Sequence, residues 1–134
     1  MRKIDRIIIH CSATSPSQDF DASDINRWHK ARGWSGIGYH YVIKLDGTIE
    51  KGRPVEKVGA HAFGYNKRSI GLCYIGGVDE EGSPKDTRTP EQLRAMDIFV
   101  AMLKDDYKSA TVHGHNEFSN KACPSFNVKE EYND

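Results

Sequence analysis

The sequence predicts an α/β fold in a single domain, a central mixed β-sheet flanked by helices. Three observations carry that expectation. Short apolar, often β-branched runs of strand length alternate with segments whose apolar residues recur at helical spacing. Asp46-Gly47 lies between two of the strand-like runs as a hairpin turn, so at least one strand pair is antiparallel. No internal repeat, low-complexity tract or linker interrupts the 134 residues, a length that suits one hydrophobic core.

The elements follow in order. The isoleucines between Ile4 and Cys11 read as a buried strand that leaves His10 at its end, and the polar segment Ser12 to Ser17 reads as a loop. A helix begins near Asp21 or Ser23, either of which can cap it. Ile25, Trp28 and His29 then share one face before Gly33 stops the helix. Gly38 to Ile43 alternates as a strand, and Thr48 to Glu50 returns beside it after the Asp46-Gly47 turn. After an irregular stretch with Gly52, Gly59 and Gly64, the run Ser69 to Ile75 reads as a central strand closed by Gly76-Gly77, and a polar loop leads on to Arg88. Thr89-Pro90-Glu91-Gln92 combines an N-cap threonine, a first-turn proline and a glutamine three residues after the cap, a strong helix start. Leu93, Met96, Phe99, Val100 and Leu103 continue that helix to about Tyr107. Ala110 to His113 makes a short strand, and the remainder is mostly loop with a short terminal helix.

Composition excludes several classes. Nineteen basic and nineteen acidic side chains cancel, so no long-range field steers the protein toward nucleic acid or an anionic membrane, and neither partner is expected. The N-terminal residues lead into only three consecutive isoleucines, too few for a signal peptide or a spanning helix. The protein is therefore expected to stay in the cytoplasm as synthesised. Three cysteines, Cys11, Cys73 and Cys123, are too few and odd in number for a disulfide framework. Cys11 and Cys73 sit in strand-like runs as small buried hydrophobes, and only Cys123, in a polar loop before Pro124, is placed for chemistry.

The densest cluster of metal-capable side chains is His113, His115 and Cys123, with Lys121 between the last two. Neutral imidazole and thiolate are good zinc ligands, although such a loop can equally be a solvated turn. A ligand from elsewhere is needed, and His10 is the strongest candidate because α/β sites gather at strand ends. Its position alone also fits a half-buried strand histidine bonded to backbone.

A longer pattern ties these residues together. Ile7-Ile8-Ile9-His10-Cys11-Ser12-Ala13-Thr14 is followed by Trp28-His29-Lys30, Gly38-Tyr39-His40-Tyr41 and Asp46-Gly47-Thr48. Gly59-Ala60-His61-Ala62, Asn66 and Ser69-Ile70-Gly71 come next, then Gly114-His115-Asn116-Glu117 and Lys121-Ala122-Cys123-Pro124-Ser125-Phe126. In this order and spacing the chain resembles the type-2 N-acetylmuramoyl-L-alanine amidases, the superfamily of phage amidase lysozymes and peptidoglycan recognition proteins. The resemblance runs nearly the whole chain, to Phe126, and is strongest with the short phage-type amidases.

The resemblance implies an amidase/peptidoglycan-recognition-protein-like fold, with residues 1–134 as one zinc amidase catalytic domain. It implies one Zn²⁺ held by His10, His115 and Cys123, with Tyr39 and Lys121 as catalytic side chains and His113 as a neighbour that does not ligate. Three protein ligands leave a tetrahedral zinc one open position, the mark of a catalytic site. The implied reaction is hydrolysis of the amide between N-acetylmuramic acid and L-alanine in peptidoglycan. Lys121 would stabilise the oxyanion, where a preorganised donor is worth roughly 3 kcal/mol; a solvated loop lysine is the alternative. Tyr39 would donate to that oxyanion or hold the attacking water, and core packing with the phenol at the rim is its alternative.

The resemblance also places His61 near the substrate cleft. Substrate is expected to be peptidoglycan or a muropeptide, with the enzyme acting as a monomer and without stable membrane association. A phage or prophage lysin released to the cell wall, or an enzyme of wall recycling, fits the absence of a leader. Two other readings remain. A recognition module would bind peptidoglycan with little or no turnover, and a purely structural metal site would need a fourth ligand, for which His113 is the nearby candidate.

Overall fold

Parallel pairing dominates the sheet because helices and long loops, rather than tight turns, join most strands. The structure, a computed structural model, describes residues 2–132. Among them the strands are β1 (Arg6–Cys11), β2 (Tyr41–Ile43), β3 (Ile49–Lys51), β4 (Ser69–Tyr74) and β5 (Thr111–Gly114), and the helices are α1 (Ala22–Ala31), α2 (Pro90–Asp106) and α3 (Val128–Tyr132). The five strands form one sheet in the order β3-β2-β4-β1-β5. β1 is parallel to both β4 and β5, β2 is parallel to β4, and only β2 and β3 pair antiparallel across the Asp46-Gly47 turn. The expected mixed sheet with flanking helices is what forms.

The two faces of the sheet bury different partners. Ile7 and Ile9 of β1 and Ile70, Leu72 and Tyr74 of β4 pack with Met96, Val100 and Leu103 of α2 and Val128 of α3. Period-two alternation sends the intervening residues to the other face. There Val42, Cys73 and Ile75 meet Ile25 of α1, with Trp28 and Phe20 packed against them. Both β1 and β4 are therefore apolar on two sides, which is why they read as continuous hydrophobic runs.

The helix starts follow from local chemistry. Asp21 caps α1, accepting from the backbone N–H of Asp24 while Asp24 accepts from that of Asp21. Thr89 and Gln92 make the same reciprocal box at α2, with Pro90 just inside. Gln92 is fully buried, and its amide also donates to the carbonyls of Ile43 and Ile75, fastening α2 to the ends of β2 and β4.

Strand β2 is shorter than Gly38 to Ile43. Gly38 leaves the ladder because its polar backbone groups go elsewhere, whereas the His40 N–H still donates to the Gly71 carbonyl of β4 at 2.9 Å. Gly38 N–H donates to His29 Nδ1 at 2.9 Å, and the Gly38 carbonyl accepts from Ala60 N–H at 3.0 Å. That diversion holds Tyr39 beside the C-terminal ends of the parallel strands.

Candidate active site

His10 is the last inward-facing residue of β1, 1% exposed. Ile9 pairs with Gly114, the end of β5, so the chain leaving β5 delivers His115 beside His10, with ring centroids 4.6 Å apart. Glu117 makes that turn possible. Its carboxylate accepts from the Gly114 N–H at 2.8 Å and bonds His113 Nδ1 at 2.8 Å, closing the short 3-10 turn that carries His115. The other ring nitrogen of His113 meets Thr111 Oγ1 at 2.7 Å. Both nitrogens are thus engaged by protein, and His113 is not among the side chains whose ligand atoms come together, which counts against a closed structural site.

Cys123 arrives from the opposite direction on a loop anchored in the core. Tyr74 Oη donates to the Pro124 carbonyl at 2.7 Å, and Ser125 Oγ donates to that of Gly77 at 2.8 Å. Cys123 Sγ accepts from the Cys11 N–H at 3.2 Å and stands 3.8 Å from His10 Nδ1. One ligand atom from each of His10, His115 and Cys123 lies within 4.8 Å of the others. A tetrahedral zinc with its usual bond lengths spaces its ligands by roughly 3.3–3.8 Å. The His10 to Cys123 distance already meets that spacing, so the donor set fits the ion with a small closing movement.

The protonation states suit a cation. Burial first, then the neighbouring His61, His115 and Lys121 charges, push His10 well below the ordinary histidine value. Burial and Lys121 lower His115 in the same sense. Both rings are neutral at pH 7 and keep a lone pair free. The hydrogen bond with Cys11 and then burial push the Cys123 thiol up. A bound divalent cation reverses that preference, because thiolate is the ligand form.

A cleft of about 750 Å³ opens over His115 and Cys123, with Tyr39, His61, Trp28, Trp34 and Lys121 among its other walls. Tyr39 has its ring 4.9 Å from that of His10 and 5.5 Å from that of His29. Burial, then Cys73, raises its phenol well above the ordinary value, so it remains an O–H donor. Lys121 is exposed on the loop before Cys123, and its backbone N–H donates to Ser119 Oγ at 3.2 Å.

The remaining histidines are structural in different ways. His29 on α1 is buried and holds Gly38 in place, and burial lowers it to about 4. His40 is buried behind β4, where Nδ1 accepts from the Gly71 N–H and Nε2 donates to the Lys57 carbonyl. His61 is the one whose importance sequence reasoning understated. Its Nδ1 lies 2.8 Å from His10 Nε2, and burial lowers it to about 3. The signal was present in the flanking glycines, since a β-carbon at Gly59 or Gly71 would meet the His61 ring at 2.7 Å. Asn66 is a second such residue, accepting from the N–H groups of both His61 and Ala62 at 2.9 Å.

Comparison with known proteins gives a consistent result. The family described as N-acetylmuramoyl-L-alanine amidase matches residues 1–126. The endolysin of Escherichia phage T7 is 46% identical over 125 residues, covering 93% of this chain and 83% of the relative. Among solved structures, the N-acetylmuramoyl-L-alanine amidase LysC from Clostridium intestinale superposes with a TM-score of 0.83 at 32% identity, covering 97% of this chain and 82% of LysC. A Drosophila PGRP-LB variant in complex with tracheal cytotoxin superposes at 0.78 with 26% identity, covering 98% of this chain and 80% of that one.

Proposed function

The chain belongs to the N-acetylmuramoyl-L-alanine amidase family and is an amidase of peptidoglycan, and on that premise we propose that it works through one zinc ion held by His10, His115 and Cys123. The observation that carries the reading is the meeting of those ligand atoms within 4.8 Å, with no fourth His, Cys, Asp or Glu in the group among the described residues. When bound with three protein ligands, zinc supplies a Lewis acid and lowers the pKa of a water at its open position to about 7.

The chain's own residues do the rest. His10 and His115 are neutral donors and Cys123 the single anionic one, so the centre retains a positive charge to face a carbonyl oxygen that becomes anionic. Lys121 adds a second positive charge from the cleft wall, which lowers the barrier as the tetrahedral intermediate forms. Tyr39 stays protonated and offers its O–H to the same oxygen or to the attacking water. The cleft walls position the substrate so that the scissile amide lies over the ligand triad.

The proposed bond is the amide between the lactyl group of N-acetylmuramic acid and L-alanine. The amidase relatives support that bond, and the PGRP-LB neighbour bound to tracheal cytotoxin supports a muropeptide in the cleft. We further infer that residues 1–134 act as one catalytic domain, in support of which the family match spans residues 1–126, and that the protein works as a monomer. No helix of the described residues is long and apolar enough to cross a membrane. The phage endolysin relatives support a lysin made in the cytoplasm and released to the wall.

The test is to incubate purified protein with intact sacculi and count newly freed L-alanine amino groups, with and without chelator. Release that stops with chelator, returns with zinc and is absent in Cys123→Ser is the expected result. Full release by metal-free Cys123→Ser removes the mechanism, and tight binding to sacculi without amine release makes the protein a recognition module instead.

A further inference from the structure

Behind the ligand triad lies a buried histidine that the reaction as described does not use. His61 is 8% exposed, and its Nδ1 stands 2.8 Å from Nε2 of His10, the two rings meeting edge to face. Its other nitrogen, Nε2, is 3.2 Å from Ser69 Oγ. The backbone beneath the ring is fixed, because Asn66 Oδ1 accepts from the N–H groups of His61 and Ala62, each at 2.9 Å. The ring's seat is also shaped by what is missing from its neighbours: a β-carbon at Gly71 would stand 2.7 Å from both Cγ and Cδ2 of His61.

The proton count along this chain of atoms has one solution that leaves a lone pair for a cation. A neutral imidazole carries one N–H and one lone pair. His10 Nδ1 is the nitrogen that faces Cys123 Sγ, at 3.8 Å, so the lone pair belongs on Nδ1 and the proton on Nε2. Nε2 of His10 therefore donates to Nδ1 of His61, whose own proton lies on Nε2 and is donated to Ser69 Oγ. The reverse arrangement, with the proton on His61 Nδ1, would put the His10 proton on Nδ1, pointing at the sulfur and the cation.

We propose that His61 is a positioning residue that acts through His10, fixing its ring and its tautomer so that Nδ1 faces the metal. The proposal rests on the reading of His10 as a zinc ligand. A hydrogen-bond acceptor behind a ligating histidine orients the ring and raises its basicity. Here that acceptor is a neutral imidazole instead of a carboxylate. The ligand is oriented without adding a negative charge, so the centre keeps the positive charge that the developing oxyanion needs.

The experiment measures the zinc dissociation constant by competition with a chromophoric chelator in the wild type, His61→Leu and His61→Asn. His61→Leu removes the acceptor and should weaken zinc binding about 10–100-fold, whereas His61→Asn, whose Oδ1 can take the place of Nδ1, should stay within about threefold of wild type. In parallel, long-range ¹⁵N NMR of the metal-free wild type should find the His10 proton on Nε2. Zinc affinity unchanged in His61→Leu, His61→Asn as weak as His61→Leu, or a wild-type His10 proton on Nδ1 would each overturn the proposal. If His61→Leu does not fold, the wild-type tautomer decides alone. A wild type that takes up no zinc ends the metal-site reading and this proposal together, while tight wild-type binding with unchanged His61→Leu ends only this one.

Discussion

Gly71→Ala is a sensitive test of whether the interior around His61 is as closely fitted as its geometry implies. Gly71 lies in the middle of β4 on the face toward His61, and an added β-carbon would stand 2.7, 2.7 and 2.9 Å from three atoms of that ring. Ordinary contact needs 3.4 Å or more, so the ring must move by about 0.7 Å. It cannot do so freely, because His10, Ser69 and the Asn66-bound backbone hold it and Gly59 abuts it as well. Two effects compete. Alanine is favoured over glycine inside a strand by roughly 0.5–1 kcal/mol. Overpacking costs about 1–3 kcal/mol, and a stretched buried hydrogen bond costs about 1 kcal/mol more. The clash wins, and the net effect is a destabilisation of about 2 kcal/mol. For a domain of this size that corresponds to a Tm lowered by roughly 6–10 °C. Thermal unfolding in the presence of chelator measures it without the contribution of bound metal. A Tm equal to or above wild type would mean that the site yields easily, and the argument from close packing would be wrong.

Lys121→Ala should lower kcat on a soluble muropeptide by about 10²–10³ while KM changes little, since an oxyanion donor acts mainly in the transition state; a rise in KM with kcat preserved would assign the lysine to ground-state binding. Arg88 has a side chain only 2% exposed, lies over the Phe126 ring and pairs with both Asp86 and Glu131. Arg88→Ala removes the shared cation and should destabilise the protein by about 3 kcal/mol in urea unfolding, and a change below about 0.5 kcal/mol would show that water replaces it. Acid should destabilise through His40, which burial, together with Arg2 and Arg53, holds at about 4 against an ordinary 6.5. Its folded value is depressed, so its contribution is complete above pH 6.5 and is lost as the pH falls toward 4, about 3 kcal/mol in all. His40→Gln should flatten that part of the stability profile; an unchanged slope between pH 7 and pH 4 would reject the assignment.

The legible parts of the fold were those set by local chemistry. Thr89-Pro90-Glu91-Gln92 announces α2 because the cap, the proline and the reciprocal glutamine all act within one turn. The isoleucines of β1 announce a strand buried on both faces. The start of β2 was less legible, because Gly38 is drawn from the ladder by His29 and Ala60, partners that only the folded chain brings near. His10 illustrates the same limit at the site. Its position alone fits a backbone-bonded histidine as well as a ligand, and the long ordered pattern of motifs is what favours the second.

What the residues could not reveal one at a time is why the site forms where it does. His10 and Cys123 are 113 residues apart in the chain. They meet because β1 and β5 run parallel and in a register that pairs Ile9 with Gly114. Parallel strands end on the same edge of the sheet, so the residues after that pair, His10 within β1 and His115 just past β5, lie side by side, and the loop after His115 is held close by Tyr74 and Ser125 until Cys123 returns. A one-residue slip of β5 against β1 would turn its alternate side chains to the opposite face and displace His115 by about 3.3 Å, more than the ligand triad can absorb. Burial of Val112, 0% exposed in the α2-facing core, opposes that slip. The apolar core on one face of the sheet therefore fixes where His10 and His115 meet on the other. Core substitutions in β5 should accordingly lower metal affinity before they unfold the protein.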